Sequence, residues 1–312
     1  MCLGSLAWWG TALVRRRSRV QFPPEALFQQ EPEKDGMTML ASFKEYLEHL
    51  QLEQLFNKLG AADPETLAET VEHFTVKEAE KRDQIVRNYF GQSGVRRIVD
   101  AITRCLLEQP RLPREGKVLD VGAGTGFFTV RVARKVRAEI PNVSFYAMDL
   151  TPAMLLSLAK KKADIVPFVG LAENIRGSIE QTRKHFIVPF KFDAVFSTLM
   201  LHHSTRPERF FESIKETLKK HGKAVVVDLC EHSFEEFRTE MGDVHLGFKP
   251  ENIQAMARRH FADVKVEKLP GICCKSSGRS WGWCSCWSRR GGGRSLPTSS
   301  GSFQGAPPRR AG

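Results

Sequence analysis

Apolar residues follow two different periodicities along the chain. Between residues 39 and 110 they recur every three or four positions, as at Leu52, Leu55 and Leu59, which is typical of helices that pack through one face. From Lys117 onward, short apolar runs alternate with stretches of helical periodicity. Strands that alternate with helices predict a doubly wound, mostly parallel α/β sheet, whose strand-following loops gather at one ligand-binding edge.

The same pattern predicts the individual elements. In the helical region we expect a helix that ends at Gly60 and two further helices. These two lie over 77–89 and 95–107. Strands are expected at 118–121, 143–148, 165–169, 192–197, 224–229 and 264–269. Helices are expected between them at 125–138, 152–162, 207–220 and 250–260, and residues 176–191 form a long connection before the fourth strand.

Composition separates both ends of the chain from its middle. The net charge is +11, but residues 271–312 carry seven basic residues and no acidic one, so the middle is nearly balanced. All five tryptophans also lie in the ends, at positions 8, 9, 281, 283 and 287. We expect four segments: a disordered or mistranslated leader over 1–36, a helical region over 37–110, an α/β domain over 111–270 and a disordered basic tail over 271–312.

A glycine-rich turn follows the first expected strand. Residues 117–129 read KVLDVGAGTGFFT, and their three glycines let the backbone approach a ligand closely where a helix begins. The spacing G-x-G-x-G differs from the G-x-G-x-x-G of dinucleotide-binding proteins. Asp120, at the entrance of the turn, would repel a pyrophosphate but suits a cationic amino-acid group. Asp149, at the end of the next strand, can accept both hydroxyls of a ribose.

Four segments in this order resemble class I S-adenosylmethionine-dependent methyltransferases, and most of all the small-molecule enzymes of the ubiquinone and menaquinone biosynthesis type. They cover residues 117–129, 143–150, 168–173 (FVGLAE) and 192–203 (FDAVFSTLMLHH). The resemblance implies a Rossmann-like fold with S-adenosylmethionine as cofactor and Asp149 as its ribose ligand. The cofactor-binding residues that it implies are Asp120, Gly122, Ala123, Gly124, Gly126, Asp149, Leu150, Ala172, Glu173 and Leu199.

Two departures from the family pattern affect these expectations. Leu171 stands where the family usually has an aspartate that contacts the adenine amino group, and Glu173 is the candidate substitute. The family sheet also ends in an antiparallel hairpin, of which residues 264–269 supply one strand. Because no second strand is visible in the tail, we expect the last strand of the sheet to be missing or altered.

His202 and His203 follow the fourth strand and are the candidates for a catalytic base on the acceptor side. Methyl transfer from a sulfonium requires mainly proximity and orientation, so an essential base is optional. We expect no metal site, because adjacent residues in a strand-like segment point to opposite sides and no other ligand cluster accompanies the two histidines. A loop pair without a role is the alternative.

The sequence therefore predicts methyl transfer from S-adenosylmethionine to a small molecule whose identity stays open. A nucleic-acid acceptor is disfavoured by the balanced charge of the middle region and by the absence of an Asn/Asp-Pro-Pro-Tyr/Phe motif. Other readings are a protein acceptor, a nicotinamide-dependent oxidoreductase and a degenerate, non-catalytic binding protein. The middle of the chain has two isolated cysteines, Cys105 and Cys230, which favour a reducing, cytoplasmic setting. No apolar run approaches the ~20 residues of a membrane span. The oligomeric state is open.

Overall fold

Four helices precede the sheet in the computed structural model, which describes residues 36–72, 75–240, 242–276 and 279–288. They are α1 (Gly36–Glu48), α2 (Leu52–Leu59), α3 (Pro64–Glu72) and α4 (Val76–Leu107). Gly60 ends α2 in a left-handed conformation with φ of 77°, as its position after the last apolar residue predicts. The leader predicted over 1–36 lies almost wholly outside the described residues.

The helix α4 joins the two helices that were expected over 77–89 and 95–107. It begins at a capping box, in which the Thr75 side chain and the Glu78 carboxylate each bond the other residue's backbone N–H. Gly91 interrupts it with φ of 62° and ψ of 171°, a conformation that a residue with a side chain rarely adopts. The kink divides α4 into an outer half, before Gly91, and an inner half, after Gly91, and the inner half packs on the sheet.

The sheet has seven strands in the order β3-β2-β1-β4-β5-β7-β6. The first five are parallel: β1 (Lys117–Val121), β2 (Ser144–Asp149), β3 (Ile165–Val169), β4 (Phe192–Thr198) and β5 (Leu218–Leu229). The last two are β6 (Lys265–Ser276) and β7 (Arg279–Ser288), and β7 runs antiparallel to both β5 and β6. The predicted doubly wound, mostly parallel sheet is confirmed.

The expectation that the last strand is missing or altered is wrong. β7 lies between β5 and β6 and pairs with both, with Cys286 opposite Val227 and Glu267. The predicted boundary at residue 270 therefore falls inside β6, and residues 271–288 are not a tail. The period-two spacing of tryptophans at 281, 283 and 287 is a strand signal hidden among Gly, Ser and Cys. Residues 289–312 lie outside the described residues.

Helices cover both faces of the sheet and bury a core on each. They are α5 (Phe127–Glu139), α6 (Pro152–Lys160), α7 (Ile175–Thr182), α8 (Pro207–Thr217), α9 (Glu236–Glu240) and α10 (Pro250–Arg258). Side chains alternate along β1, so Val118 joins one core while Leu119 and Val121 join the other. α7 occupies part of the segment expected as a long connection. No helix in the described ranges has the length and apolarity to cross a membrane.

Candidate functional site

The glycine turn after β1 requires its glycines for both backbone and packing reasons. Gly122, Gly124 and Gly126 all have positive φ, at 73°, 53° and 71°. A Cβ added at Gly122 would lie 2.1 Å from Cγ of Met200, and one at Gly126 would lie 2.2 Å from Cδ1 of Leu158. The turn can therefore approach its neighbours, and any ligand at this edge, only because its glycines have no side chains.

The backbone amides of this turn are already engaged within the protein. The N–H groups of Gly122 and Ala123 donate to the Met148 carbonyl at 2.8 and 3.0 Å, and that of Gly126 donates to Ala123 at 2.9 Å. The Gly124 N–H donates to the Asp149 carboxylate. A pyrophosphate depends on such amides at a helix N-terminus, so these bonds argue against a dinucleotide bound in that manner.

Asp149 lies at the end of β2 in the position predicted for a ribose ligand. Its Oδ2 accepts the Gly124 N–H at 2.7 Å and its Oδ1 accepts the Thr151 N–H at 2.9 Å. Burial raises the pKa of this carboxyl, although the backbone hydrogen bonds act in the opposite direction. The side chain remains partly exposed. The carboxylate is thus held in a fixed orientation in a residue that is partly exposed.

Asp120 is a buried acid whose bonding is incomplete. It is 1% exposed, and its Oδ2 accepts a hydrogen bond from the Thr129 hydroxyl at 2.6 Å. Its Oδ1 has no hydrogen-bond partner among the described residues. Burial raises the pKa of Asp120 to about 8, and the nearby Asp149 charge adds to the rise. A cationic or donor group supplied by a ligand would satisfy this oxygen, which fits the amino-acid end of S-adenosylmethionine.

The outer half of α4 is fastened to the glycine turn by a cluster that the sequence did not reveal. The Thr125 hydroxyl donates a short hydrogen bond to Asp83. Lys161 Nζ lies 2.8 Å from Asp83 Oδ2 and donates to the Thr125 carbonyl at 2.8 Å. Because Asp83 lies in α4 and Lys161 follows α6, the cluster closes the N-terminal helices over this side of the site.

The third and fourth predicted segments lie at the same edge of the sheet. Ala172 and Leu150 are partly buried, and Leu171 is 7% exposed. Glu173 accepts a hydrogen bond from the Ser204 hydroxyl at 2.6 Å, so its predicted contact with adenine would compete with this bond. Leu199 adopts a positive φ of 56° directly after β4. Such a conformation is strained for leucine and is typical of functional sites.

His202 is held by an aspartate at the end of β5. Its Nδ1–H donates to Asp228 Oδ1 at 2.6 Å, and Asp228 also accepts the N–H groups of Leu201 and Leu229, each at 2.7 Å. Burial lowers the pKa of His202, but the Asp228 charge and hydrogen bond outweigh burial and raise it overall. The polar Asp228 in an otherwise apolar run, AVVVDL, is a signal from which this partner could have been predicted.

Asp243 completes a cluster with the two histidines. Its Oδ1 lies 3.6 Å from His202 Nε2 and 3.9 Å from His203 Nδ1. Asp243 is 4% exposed, and neither carboxylate oxygen has a hydrogen-bond partner among the described residues. Burial raises its pKa to about 6. Asp243 was not singled out from the sequence, so this contact was missed.

The geometry of the histidine pair differs from the sequence-based expectation. His202 and His203 lie in a 3-10 turn, Leu201–His203, rather than in a strand, and their ring centroids are 4.1 Å apart. The argument that adjacent side chains point to opposite sides therefore does not apply. The His203 Nδ1–H donates to the Gly242 carbonyl at 3.1 Å, and burial together with the neighbouring His202 lowers its pKa to about 3.

Comparisons with known proteins agree with this architecture. Residues 113–268, half of the chain, match the family described as Methyltransferase domain. The ubiquinone biosynthesis O-methyltransferase, mitochondrial, of Schizosaccharomyces pombe is 33% identical over 111 residues, which are 35% of this chain and 36% of that protein. The chain thus matches only about a third of the length of this relative.

One solved structure shares the fold at low sequence identity, and a second resembles this chain more weakly. The CurJ carbon methyltransferase superposes with a TM-score of 0.53 and 12% identity, covering 81% of this chain and 71% of that one. Phosphoethanolamine N-methyltransferase 2 of Haemonchus contortus, in complex with S-adenosyl-L-methionine, gives 0.48 and 21%, covering 65% and 46%. With the family match over half of its length, the chain belongs to the Methyltransferase domain family.

Proposed function

We propose that this protein transfers a methyl group from S-adenosylmethionine to a small-molecule acceptor. One observation carries the proposal: a glycine turn lies between a partly exposed Asp149 and a buried Asp120 with an unsatisfied oxygen, in a chain of the Methyltransferase domain family. The two acids match the two ends of this cofactor, a ribose and a cationic amino-acid group.

Each predicted cofactor residue has a role that its position supports. Asp149 accepts the ribose hydroxyls, while Asp120 and the turn of Gly122, Ala123, Gly124 and Gly126 hold the amino-acid end. The side chains of Leu150, Ala172 and Leu199 form the walls around the base, with Glu173 at their rim. The cofactor supplies an activated methyl group on a sulfonium, so the protein contributes mainly orientation and exclusion of water.

The acceptor is proposed to lie beside His202 and His203, where the loop 242–248 and the outer half of α4 meet. The S. pombe relative is named as an O-methyltransferase of ubiquinone biosynthesis, which supports a small hydroxyl-bearing acceptor. His202 lies between Asp228 and Asp243, so we assign it a positioning role, and His203 is the more exposed of the pair. The buried thiols Cys105 and Cys230 support the proposed reducing, cytoplasmic location.

The test is acceptor-dependent turnover by the full chain. The protein is incubated with methyl-labelled S-adenosylmethionine and small-molecule panels grouped as phenols, amines, thiols and acidic carbons, and S-adenosylhomocysteine is measured. We expect one class to stimulate its formation, the Asp149→Ala variant to abolish it, and the exposed control Asp263→Ala to retain it. Cofactor binding without turnover in every class would instead establish a non-catalytic binding protein.

A further inference from the structure

Beyond methyl transfer, the geometry points to a divalent transition-metal site formed by His202, His203 and Asp243. One ligand atom from each residue lies within 4.8 Å of the others. Two imidazoles and one carboxylate are a donor set that Zn²⁺ prefers, and three protein ligands leave a fourth position open.

The distances are close to those of a metal site. Tetrahedral bonds of about 2.0–2.1 Å place neighbouring ligand atoms about 3.3 Å apart. Asp243 Oδ1 lies 3.6 Å from His202 Nε2 and 3.9 Å from His203 Nδ1. Side-chain shifts of a few tenths of an ångström would bring His202 and Asp243 around one ion. His203 would join them by a larger ring movement that presents its Nε2, because its Nδ1 bonds the Gly242 carbonyl.

The unsatisfied carboxylate is an independent observation that calls for a cation. The Asp243 side chain has 0% exposure, and both of its oxygens lack hydrogen-bond partners among the described residues. A buried carboxylate in that state is costly unless it is paired or binds a metal. His202, Arg82 and Arg238 lie within electrostatic reach of Asp243. Arg82 also acts on Asp149, and Asp228 adds a second negative charge to the cluster.

The surrounding hydrogen bonds are those of metal-binding histidines. Such histidines almost always donate their other ring N–H to a carboxylate or a backbone carbonyl, which fixes the tautomer and the ring orientation. His202 donates Nδ1–H to Asp228 and His203 donates Nδ1–H to the Gly242 carbonyl. Each ring therefore keeps an Nε2 lone pair for a metal, and Asp228 is a positioning residue.

The site extends the proposed function on its acceptor side. An ion with an open position would bind an acceptor oxygen and lower its pKa, which removes the need for an imidazole base. Metal binding by itself does not depend on the methyl donor, so it is measured in the donor's absence. The failure of the metal proposal and the failure of the methyltransferase proposal are thus distinguishable.

The test uses the full chain after dialysis against a chelator. Zn²⁺ and then Co²⁺ are titrated, and stoichiometry, affinity and the visible cobalt spectrum are recorded. We expect one ion per chain without a thiolate charge-transfer band, which separates this site from the cysteines near the C-terminus. Asp243→Asn and His203→Ala should each weaken binding at least ~10-fold, whereas the exposed controls His221→Ala and Asp263→Asn should not.

Folding is checked in the same samples. Asp243→Asn keeps the shape and removes a buried carboxylate whose oxygens lack hydrogen bonds among the described residues, so it should fold at least as well as the original chain. Zn²⁺ should raise the melting temperature of the original chain but not that of Asp243→Asn. A folded chain that binds no ion, or one whose affinity is unchanged in both variants, overturns the proposal.

Discussion

Replacing Asp120 by asparagine tests the physical role of the buried acid. The amide has nearly the same shape and can still accept the Thr129 hydroxyl hydrogen bond. In the folded protein burial raises the pKa of Asp120 from 3.8 to about 8, so the folded state binds more protons than the unfolded state between these values. The stability from this protonation is fully present below about pH 4 and is lost as the pH rises towards 8.

The size of this effect follows from linkage. One group that is protonated only in the folded state changes the free energy of unfolding by about 1.4 kcal/mol per pH unit. Between pH 5 and 7, the free energy of unfolding of the original chain should therefore fall as the pH rises, whereas that of Asp120→Asn should fall less. At pH 7.5 the variant should be more stable than the original chain. Urea unfolding at closely spaced pH values measures both quantities.

Asp120→Asn should weaken ligand binding although it stabilises the fold at pH 7.5. The unsatisfied Oδ1 is expected to receive the ammonium group of S-adenosylmethionine, and losing a charged hydrogen bond costs about 1.5–3 kcal/mol, or about 10- to 150-fold in Kd. 5′-Methylthioadenosine lacks the amino-acid end, so its affinity should be unchanged. Equal losses for both ligands, or no loss for either, would refute this assignment of Asp120.

Four further substitutions test the packing of the turn, the N-terminal helices and the sheet. Gly122→Ala should destabilise the chain by at least ~1–2 kcal/mol in urea, because its positive φ and the contact with Met200 both oppose a Cβ; Gly124→Ala, with its nearest contact at 3.5 Å, should cost less. Asp83→Ala should speed proteolysis of the outer half of α4 and weaken cofactor binding. Lys223→Met removes bonds to the carbonyls of Cys105 and Glu108 at the end of α4, and it should lower the free energy of unfolding in urea by about 1–3 kcal/mol.

The parallel part of the fold could be predicted because its signals are local. Each strand from β1 to β5 contains a short apolar run, and Pro152, Pro207 and Pro250 mark helices that begin there. The strand β7 was missed because its pairing depends on β5 and β6 rather than on its own aliphatic residues. Its tryptophan alternation was masked by an unusual composition.

The cofactor side of the site was more predictable than the acceptor side. Asp120 and Asp149 lie at the ends of neighbouring strands, so their positions follow from the topology alone. The cluster joins His202 to Asp228 and Asp243, which lie 26 or more positions further along the chain. No periodicity in the sequence encodes which loop residue folds back onto a histidine. The side-chain directions of His202 and His203 were also mispredicted, because a 3-10 turn places them where the sequence resembles a strand.

The most direct test of the central claim is calorimetric titration of the full chain with S-adenosylmethionine, beside Asp149→Ala and the exposed control Asp263→Ala. We predict micromolar, one-to-one binding by the original chain and the control. Asp149→Ala should bind at least ~10-fold more weakly, because the ribose hydroxyls lose a charged acceptor. A folded original chain that does not bind S-adenosylmethionine, or a variant that binds it equally well, would contradict the account.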